Sequence, residues 1–221
     1  MLKRIFLMVL SMMLCGTACP ALGEGLPQPK DLPAIDGLPE LMQLQDGTPV
    51  TTPEDWSKRR QELLELYSFY MYGYMPDAAG ETLSYTLEDE PVTGEKLLTI
   101  TVTVGETSAD FSVLVTLPEG EKPEGGFPYF IDYTPYHYQS WFTHQWVTEV
   151  SANCRYAASR GYAGINYDCS AVAQDNRNFT GAFYTLYPYK LLDQQSRNGT
   201  LLAWAWGVSK IIDAMEQGAG A

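Results

Sequence analysis

Three stretches between residues 83 and 117 alternate apolar and polar positions with a period of two. Leu83, Tyr85 and Leu87 are separated by Ser84 and Thr86. Leu98, Ile100, Val102 and Val104 are separated by Thr99, Thr101 and Thr103. Phe111, Val113, Val115 and Leu117 interleave with Ser112 and Thr116. Period two over this length predicts strands with one face on a core and one face wet. The connection from Gly105 to Asp110 predicts an antiparallel hairpin between the last two.

The pattern then changes. Residues 128–133 form a short run rich in aromatic and β-branched residues, which predicts a buried strand. Trp146, Val147, Val150, Cys154, Ala157 and Ala158 recur at helical spacing, and Gly161 stands where a helix C-cap belongs. Residues 162–167 predict another strand, followed by a polar loop to about Tyr189. Leu201, Leu202, Ala205, Val208, Ile211, Ile212 and Met215 predict a long amphipathic helix. Nearer the N-terminus, Thr52 is placed to cap a helix that begins at Pro53 and carries Trp56, Leu63, Leu66, Tyr67 and Tyr70 at helical spacing; Gly73 and Pro76 stop it. The expected fold class is α/β, with a mixed sheet, an antiparallel N-terminal part and helices on both faces.

The remaining N-terminal sequence divides in two. Residues 1–23 have the pattern of a signal peptide: Lys3 and Arg4, an apolar run from Ile5 to Leu14, and the small-x-small site Ala21-Leu22-Gly23. A lipid anchor on Cys19, after Gly16-Thr17-Ala18, is the alternative. Without it, cleavage leaves no membrane attachment. Residues 24–53, with Pro27, Pro29, Pro33, Pro39, Pro49 and Pro53, read as a Pro-rich lead-in. Residues 54–221 are the domain. Export allows Cys154 and Cys169 to form a disulfide; two separate buried thiols are the other reading.

Composition narrows the function. The 221 residues carry 14 Lys and Arg against 27 Asp and Glu, a net charge of −13. Without a basic stripe the chain has no means of neutralising phosphates, so nucleic-acid binding is excluded. No His-Glu-x-x-His, no Cys-x-x-Cys and no glycine-rich phosphate loop occurs, so neither a metal nor another cofactor is expected. No Gly-x-Ser-x-Gly occurs either. Gln195-Ser196-Arg197-Asn198-Gly199 comes nearest, but no apolar strand leads into it, and Ser196 or Asn198 reads as a helix cap. His137 and His144 are the two histidines, and both lie in the aromatic stretch from Tyr133 to Trp146. That stretch follows a predicted strand, where α/β folds place ligand loops. Tyr136, His137 and Trp141 are its candidate substrate contacts, with packing under a surface loop as the other reading. Asn178-Phe179-Thr180 and Asn198-Gly199-Thr200 fit glycosylation sequons.

Four segments carry a family resemblance. They are Arg59-Arg60-Gln61-Glu62-Leu63-Leu64 with Tyr72-Gly73-Tyr74-Met75-Pro76; Arg160-Gly161-Tyr162-Ala163 with Ala173-Gln174-Asp175; Leu186-Tyr187-Pro188; and Leu202-Ala203-Trp204-Ala205-Trp206-Gly207-Val208-Ser209-Lys210-Ile211-Ile212-Asp213-Ala214. Together they resemble the glucuronoyl esterases, which usually carry Arg where Lys210 stands. The resemblance implies an α/β-hydrolase domain and hydrolysis of esters joining xylan glucuronic acid to lignin alcohols by a Ser–His–acid triad, without a metal. In that family the motif Gly-Cys-Ser-Arg-x-Gly-Lys follows the Trp-Ala-Trp-Gly helix. No catalytic residue is therefore assigned within this chain; the nucleophile, acid and histidine are expected beyond Ala221. The expectation is an incomplete α/β-hydrolase, inactive alone. Two alternatives stand beside it: an exported protein that binds plant cell-wall glycan through Tyr133 to Trp146 without catalysis, and an acetyl xylan esterase-like hydrolase.

Overall fold

A computed structural model describes residues 26–219. The signal segment and Cys19 lie outside the described residues. The chain divides into two compact units, one ending at Glu65 and one beginning at Leu66.

In the first unit, helix α1 (Pro53–Tyr67) begins as the sequence predicts. The Thr52 hydroxyl accepts from the Asp55 backbone N–H at 3.1 Å, and the Asp55 carboxylate accepts from the Thr52 N–H at 3.1 Å. This reciprocal cap satisfies two N–H groups at the helix start. The apolar stripe is not what holds the lead-in. Trp56 and Leu64 are exposed, whereas Arg59 is buried. Its guanidinium donates to the carbonyls of Leu41 and Glu40 at 3.0 and 3.3 Å and pairs with Glu62 at 3.0 Å. Glu62 accepts in turn from the Gln45 N–H. Arg59 gives each of these groups a partner, which is the condition for burying it.

The second unit is built on a five-stranded sheet. Strands β1 (Glu81–Asp89), β2 (Lys96–Val104) and β3 (Thr107–Thr116) form an antiparallel meander. The β2–β3 connection is only Gly105-Glu106, shorter than the sequence suggests, because Thr107 already pairs with Val104. Gly105 sits at φ 59°, left-handed backbone that suits a two-residue turn. Leu98, Ile100, Val102, Phe111, Val113 and Val115 share the buried face, as the alternation predicts. On the opposite face Thr99 bonds Ser112 at 2.8 Å and Thr103 bonds Ser108 at 2.7 Å. That face is not wet throughout. Leu114 is fully buried on it, packed with Val150 and Cys154.

Strand β4 (Tyr129–Asp132) runs parallel to β7 (Ala163–Tyr167), and β7 pairs antiparallel with β3, giving the order β1-β2-β3-β7-β4. All five residues of β7 are buried. The expectation of a buried strand at 128–133 is corrected: β4 is the edge of the described sheet, and Tyr129 and Phe130 are exposed. The predicted helix from Trp146 is also corrected. Trp146–Thr148 is strand β6, paired antiparallel with β5 (His137–Gln139) in a separate hairpin. Helix α2 spans only Ala152–Ser159, because the Ser151 hydroxyl caps it by accepting from the Cys154 N–H at 3.0 Å. Gly161 ends it at φ 87°, with Tyr162 and Gly161 N–H groups donating to the carbonyls of Ala157 and Ala158.

The expected polar loop holds two short helices, α3 (Cys169–Val172) and α4 (Ala182–Leu186), the latter burying Phe183 and Tyr184. Helix α5 (Thr200–Ala214) then covers the main core. Its buried stripe is Ala203, Trp206, Gly207, Lys210, Ile211 and Ala214, rotated from the Leu-centred stripe read in the sequence; Leu201 is exposed. With α2 on one face and α4 and α5 on the other, the layers are those of an α/β sheet covered on both sides.

Candidate functional site

Parallel α/β sheets bind ligands beyond the carboxyl ends of their strands. Here those ends are Asp132-Tyr133 after β4 and Tyr167-Asp168 after β7. The rim is held by buried polar side chains. Asn166 is fully buried; its carbonyl oxygen accepts from the Ser151 N–H and its amide donates to the Thr134 carbonyl, each at 3.3 Å. The Asp132 carboxylate accepts from the Ser151 hydroxyl at 2.7 Å and from the Asn153 amide at 3.3 Å. These bonds fix the backbone that leaves β4 against the start of α2.

Beside them, the Tyr133 ring meets the Tyr167 ring edge-on, with centroids 5.0 Å apart. Tyr167 is buried over Gly207, where a Cβ would lie 2.1 Å from its hydroxyl, and that hydroxyl donates to the Trp204 carbonyl at 3.1 Å. Burial pushes its pKa far above the ordinary phenol value. Asp168 caps α3, accepting from the Ser170 N–H at 3.0 Å and hydroxyl at 2.7 Å. Burial and the neighbouring Asp168 charge raise the Cys169 thiol, so it is not an activated nucleophile.

The three predicted substrate contacts occupy different settings. Tyr136 is half-buried against Leu114, Val150 and Cys154, and burial raises its pKa; it anchors the segment to the core. His137 lies on β5, its Nδ1 2.8 Å from the Thr148 hydroxyl and its ring stacked on Trp146 at 4.9 Å and 2°. Trp141 stands at the hairpin tip, 86% exposed. Phe142 and Trp146, in the same aromatic stretch, are 92% and 67% exposed, and Trp146 lies on β6 rather than on a helix. One signal marks the whole segment: Thr134 to Thr148 contains no Asp, Glu, Lys or Arg.

No hydrolytic triad is assembled among the described residues. Neither histidine ring is hydrogen-bonded to a serine or carboxylate there. The Ser196 hydroxyl donates to Asp193 at 2.7 Å. The expected cap at Ser196 or Asn198 is corrected, since α5 starts at Thr200 with Gly199 as its N-cap residue and no side-chain cap. Asn198 is buried instead and accepts from the Tyr74 N–H at 3.0 Å, clamped where Gly73 at φ 90° leaves no room for a Cβ. Among the described residues no group of three His, Cys, Asp or Glu is gathered for a metal. Cys154 and Cys169 are free thiols. They belong to clusters on opposite faces of the sheet, so the disulfide option is not realised.

One further polar centre joins β1 to α5. Glu81, on the first strand, accepts from Lys210 at 2.6 Å, Trp206 Nε1 at 2.9 Å and the Tyr187 hydroxyl at 2.5 Å. Lys210 also pairs with Asp213 at 2.8 Å. Burial opposes the Glu81 charge, but these donors outweigh it and hold its pKa below the ordinary glutamate value. Burial likewise opposes the Lys210 charge, and its two carboxylate partners outweigh that and raise its pKa.

A mixed sheet of this order, covered on both faces with its loops at the strand ends, places the chain in the α/β-hydrolase class of folds. Comparison with solved structures agrees. The chain is 42% identical, with a TM-score of 0.67, to a carbohydrate esterase family 15 glucuronoyl esterase from Caldicellulosiruptor kristjansonii, over 86% of this chain and 47% of that one. It is 26% identical, with a TM-score of 0.59, to a glucuronoyl esterase from Sporotrichum thermophile in complex with methyl 4-O-methyl-β-D-glucopyranuronate, over 83% of this chain and 42% of that one. A multidomain esterase of Ruminococcus flavefaciens is 33% identical over 203 residues, which are 87% of this chain and 23% of that protein. The family model described as "Glucuronyl esterase, fungi" matches residues 100–221. The chain belongs to the glucuronoyl esterase family, and it spans less than half the length of these relatives.

Proposed function

We propose that this chain forms the N-terminal part of an exported serine carboxylic-ester hydrolase that cleaves glucuronic acid esters between plant cell-wall xylan and lignin alcohols. The observation that carries the reading is the family match over residues 100–221, which takes in β7, the rim after it and α5. The chain supplies the sheet and its rim; groups outside the described residues supply the nucleophile, its acid and its histidine. Export rests on the Lys3-Arg4 and Ile5–Leu14 pattern and its cleavage site.

The test is hydrolysis of methyl 4-O-methyl-glucuronate. The 221-residue chain alone is expected to release no methanol above the rate in buffer. A polypeptide continuing through Gly-Cys-Ser-Arg-x-Gly-Lys is expected to hydrolyse the ester and to lose turnover when that Ser becomes Ala. An extended, folded protein that deacetylates xylan yet leaves the uronate ester intact overturns the reading in favour of an acetyl xylan esterase.

A further inference from the structure

The β5–β6 hairpin exposes more aromatic surface than folding accounts for. Trp141, Phe142 and Trp146 are mostly solvent-exposed within a few residues of each other. Clustered exposed aromatic surface marks an interaction site rather than ordinary surface. The hairpin also holds its backbone and the Trp146 ring in place. Tyr136 pins its base into the core. The tip is closed by Ser140 N–H to Gln145 carbonyl at 2.8 Å, His144 N–H to Ser140 carbonyl at 2.9 Å and Gln139 amide to His144 carbonyl at 2.9 Å. His144 adopts φ 55°, left-handed backbone that costs energy for a residue other than glycine and is retained where the surroundings impose it. His137 lies flat on Trp146 and is itself held by Thr148. Rings fixed before binding lose little entropy on binding.

The chemistry of the surface selects the ligand. The pairing of His137 with Thr148 and of Gln139 with Trp146 puts all four side chains on one face, because alternate residues of a strand share a face. The Trp146 ring is therefore flanked by an imidazole, an amide and a hydroxyl. The whole stretch from Thr134 to Thr148 carries no formal charge, in a chain with 19% charged residues. A segment without charged side chains of its own, carrying flat rings and hydrogen-bonding groups, complements an uncharged pyranose, whose C–H face packs on an aromatic ring while its hydroxyls bond at the edge.

We propose that the β5–β6 hairpin is a carbohydrate platform that grips the neutral xylose backbone, with Trp141 and Trp146 as its stacking rings. The hairpin leaves the carboxyl end of β4, so a chain held there lies along the rim. The proposal rests on the glucuronoxylan-esterase reading above and names the subsite for the polymer rather than for the ester.

Xylohexaose carries no ester, so its binding tests the platform separately from catalysis. Titrated into the 221-residue chain, it is expected to saturate a change in tryptophan fluorescence, confirmed by calorimetry. Trp146→Ala is expected to weaken binding by about tenfold, the loss typical of an aromatic anchor, and Trp141→Ala by several-fold. Tyr156→Ala, an exposed ring on α2, is expected to leave affinity unchanged. Circular dichroism checks that each variant is folded, and Trp141→Ala at the exposed tip tests the idea if Trp146→Ala unfolds the hairpin. No saturable binding by the wild type, equal affinity in all variants, or binding of benzyl alcohol in preference to xylohexaose overturns the proposal. Failure here with intact uronate-ester hydrolysis by the extended protein leaves the family reading standing.

Discussion

The antiparallel ribbon β1–β3 and the parallel pair β4/β7 belong to one sheet but are specified differently. In the ribbon, each strand pairs with its sequence neighbour, and the β2–β3 link is two residues. One apolar face and one hydroxyl-lined face follow from a period of two. In the parallel pair, β4 and β7 become neighbours only after a hairpin and a helix have intervened. What decides the second region is the set of buried polar contacts and close approaches between distant residues. Local alternation builds a ribbon; long-range fit places a rim.

The largest effect is expected where the ribbon meets the helix that covers it, at Glu81 on β1 and Lys210 on α5. Lys210→Met leaves the Glu81 carboxylate buried without its cation, and we expect a loss on the order of 3 kcal/mol in urea unfolding. Lys210→Arg is expected to recover most of it. The same tie sets a pH dependence. Glu81 has a lowered pKa, so its contribution is complete above the ordinary value of 4.5 and disappears as pH falls through the lower folded value. Lys210 has a raised pKa, so its share is complete below the ordinary value of 10.5 and is lost as pH rises past the folded one. The melting temperature of the wild type is expected to fall more steeply on acidification than that of Glu81→Gln.

Within the parallel half, Gly164 on β7 is the sharpest probe. A Cβ there would meet the Cys154 carbonyl at 2.6 Å and its Cα at 2.7 Å, so α2 has to move. Gly164→Ala is expected to cost about 2 kcal/mol, the cost of overpacking, measured by denaturant unfolding. Within the ribbon, Thr99→Ala removes a single hydroxyl pair with Ser112 on the polar face and is expected to cost only about 0.5 kcal/mol in the same assay. If the two values come out equal, the ribbon is as dependent on long-range fit as the parallel half. The thiols sharpen the layering. Cys154 is the buried residue of α2, and burial raises its pKa, whereas Cys169 is half-buried. An aromatic disulfide reagent is expected to label Cys169 in the native state and Cys154 only on unfolding.

Much of this was legible in the sequence. The alternation at 83–87, 98–104 and 111–117 predicted strands that the structure contains, and Thr52-Pro53 predicted where α1 begins. The Trp-Ala-Trp-Gly-Val-Ser segment carried a resemblance that the family match supports. The misreadings share a cause. Trp146, Val147 and Val150 fit a helical period, but Ser151 caps the helix after them and Trp146 pairs with Gln139. A cap and a cross-strand partner outweigh an apolar spacing that several conformations satisfy. Asn198 looked like a local cap and is instead a partner for Tyr74, 124 residues away.

For the candidate site the division is similar. The aromatic stretch and its lack of charge are visible residue by residue. Which rings face solvent is not, because Tyr136, His137 and Trp141 are near neighbours in the chain with unlike surroundings. By itself the sequence determined the strands of the ribbon, the start of α1 and the family, since these depend on periodicity, capping chemistry and motif, all of which are local. The tertiary structure alone decided that Tyr136 belongs to the core and Trp146 to the surface, that Cys154 and Cys169 lie on opposite faces, and that Glu81 answers Lys210. Burial and partnership are properties of the packed chain, set by groups that meet only when distant segments close on one another.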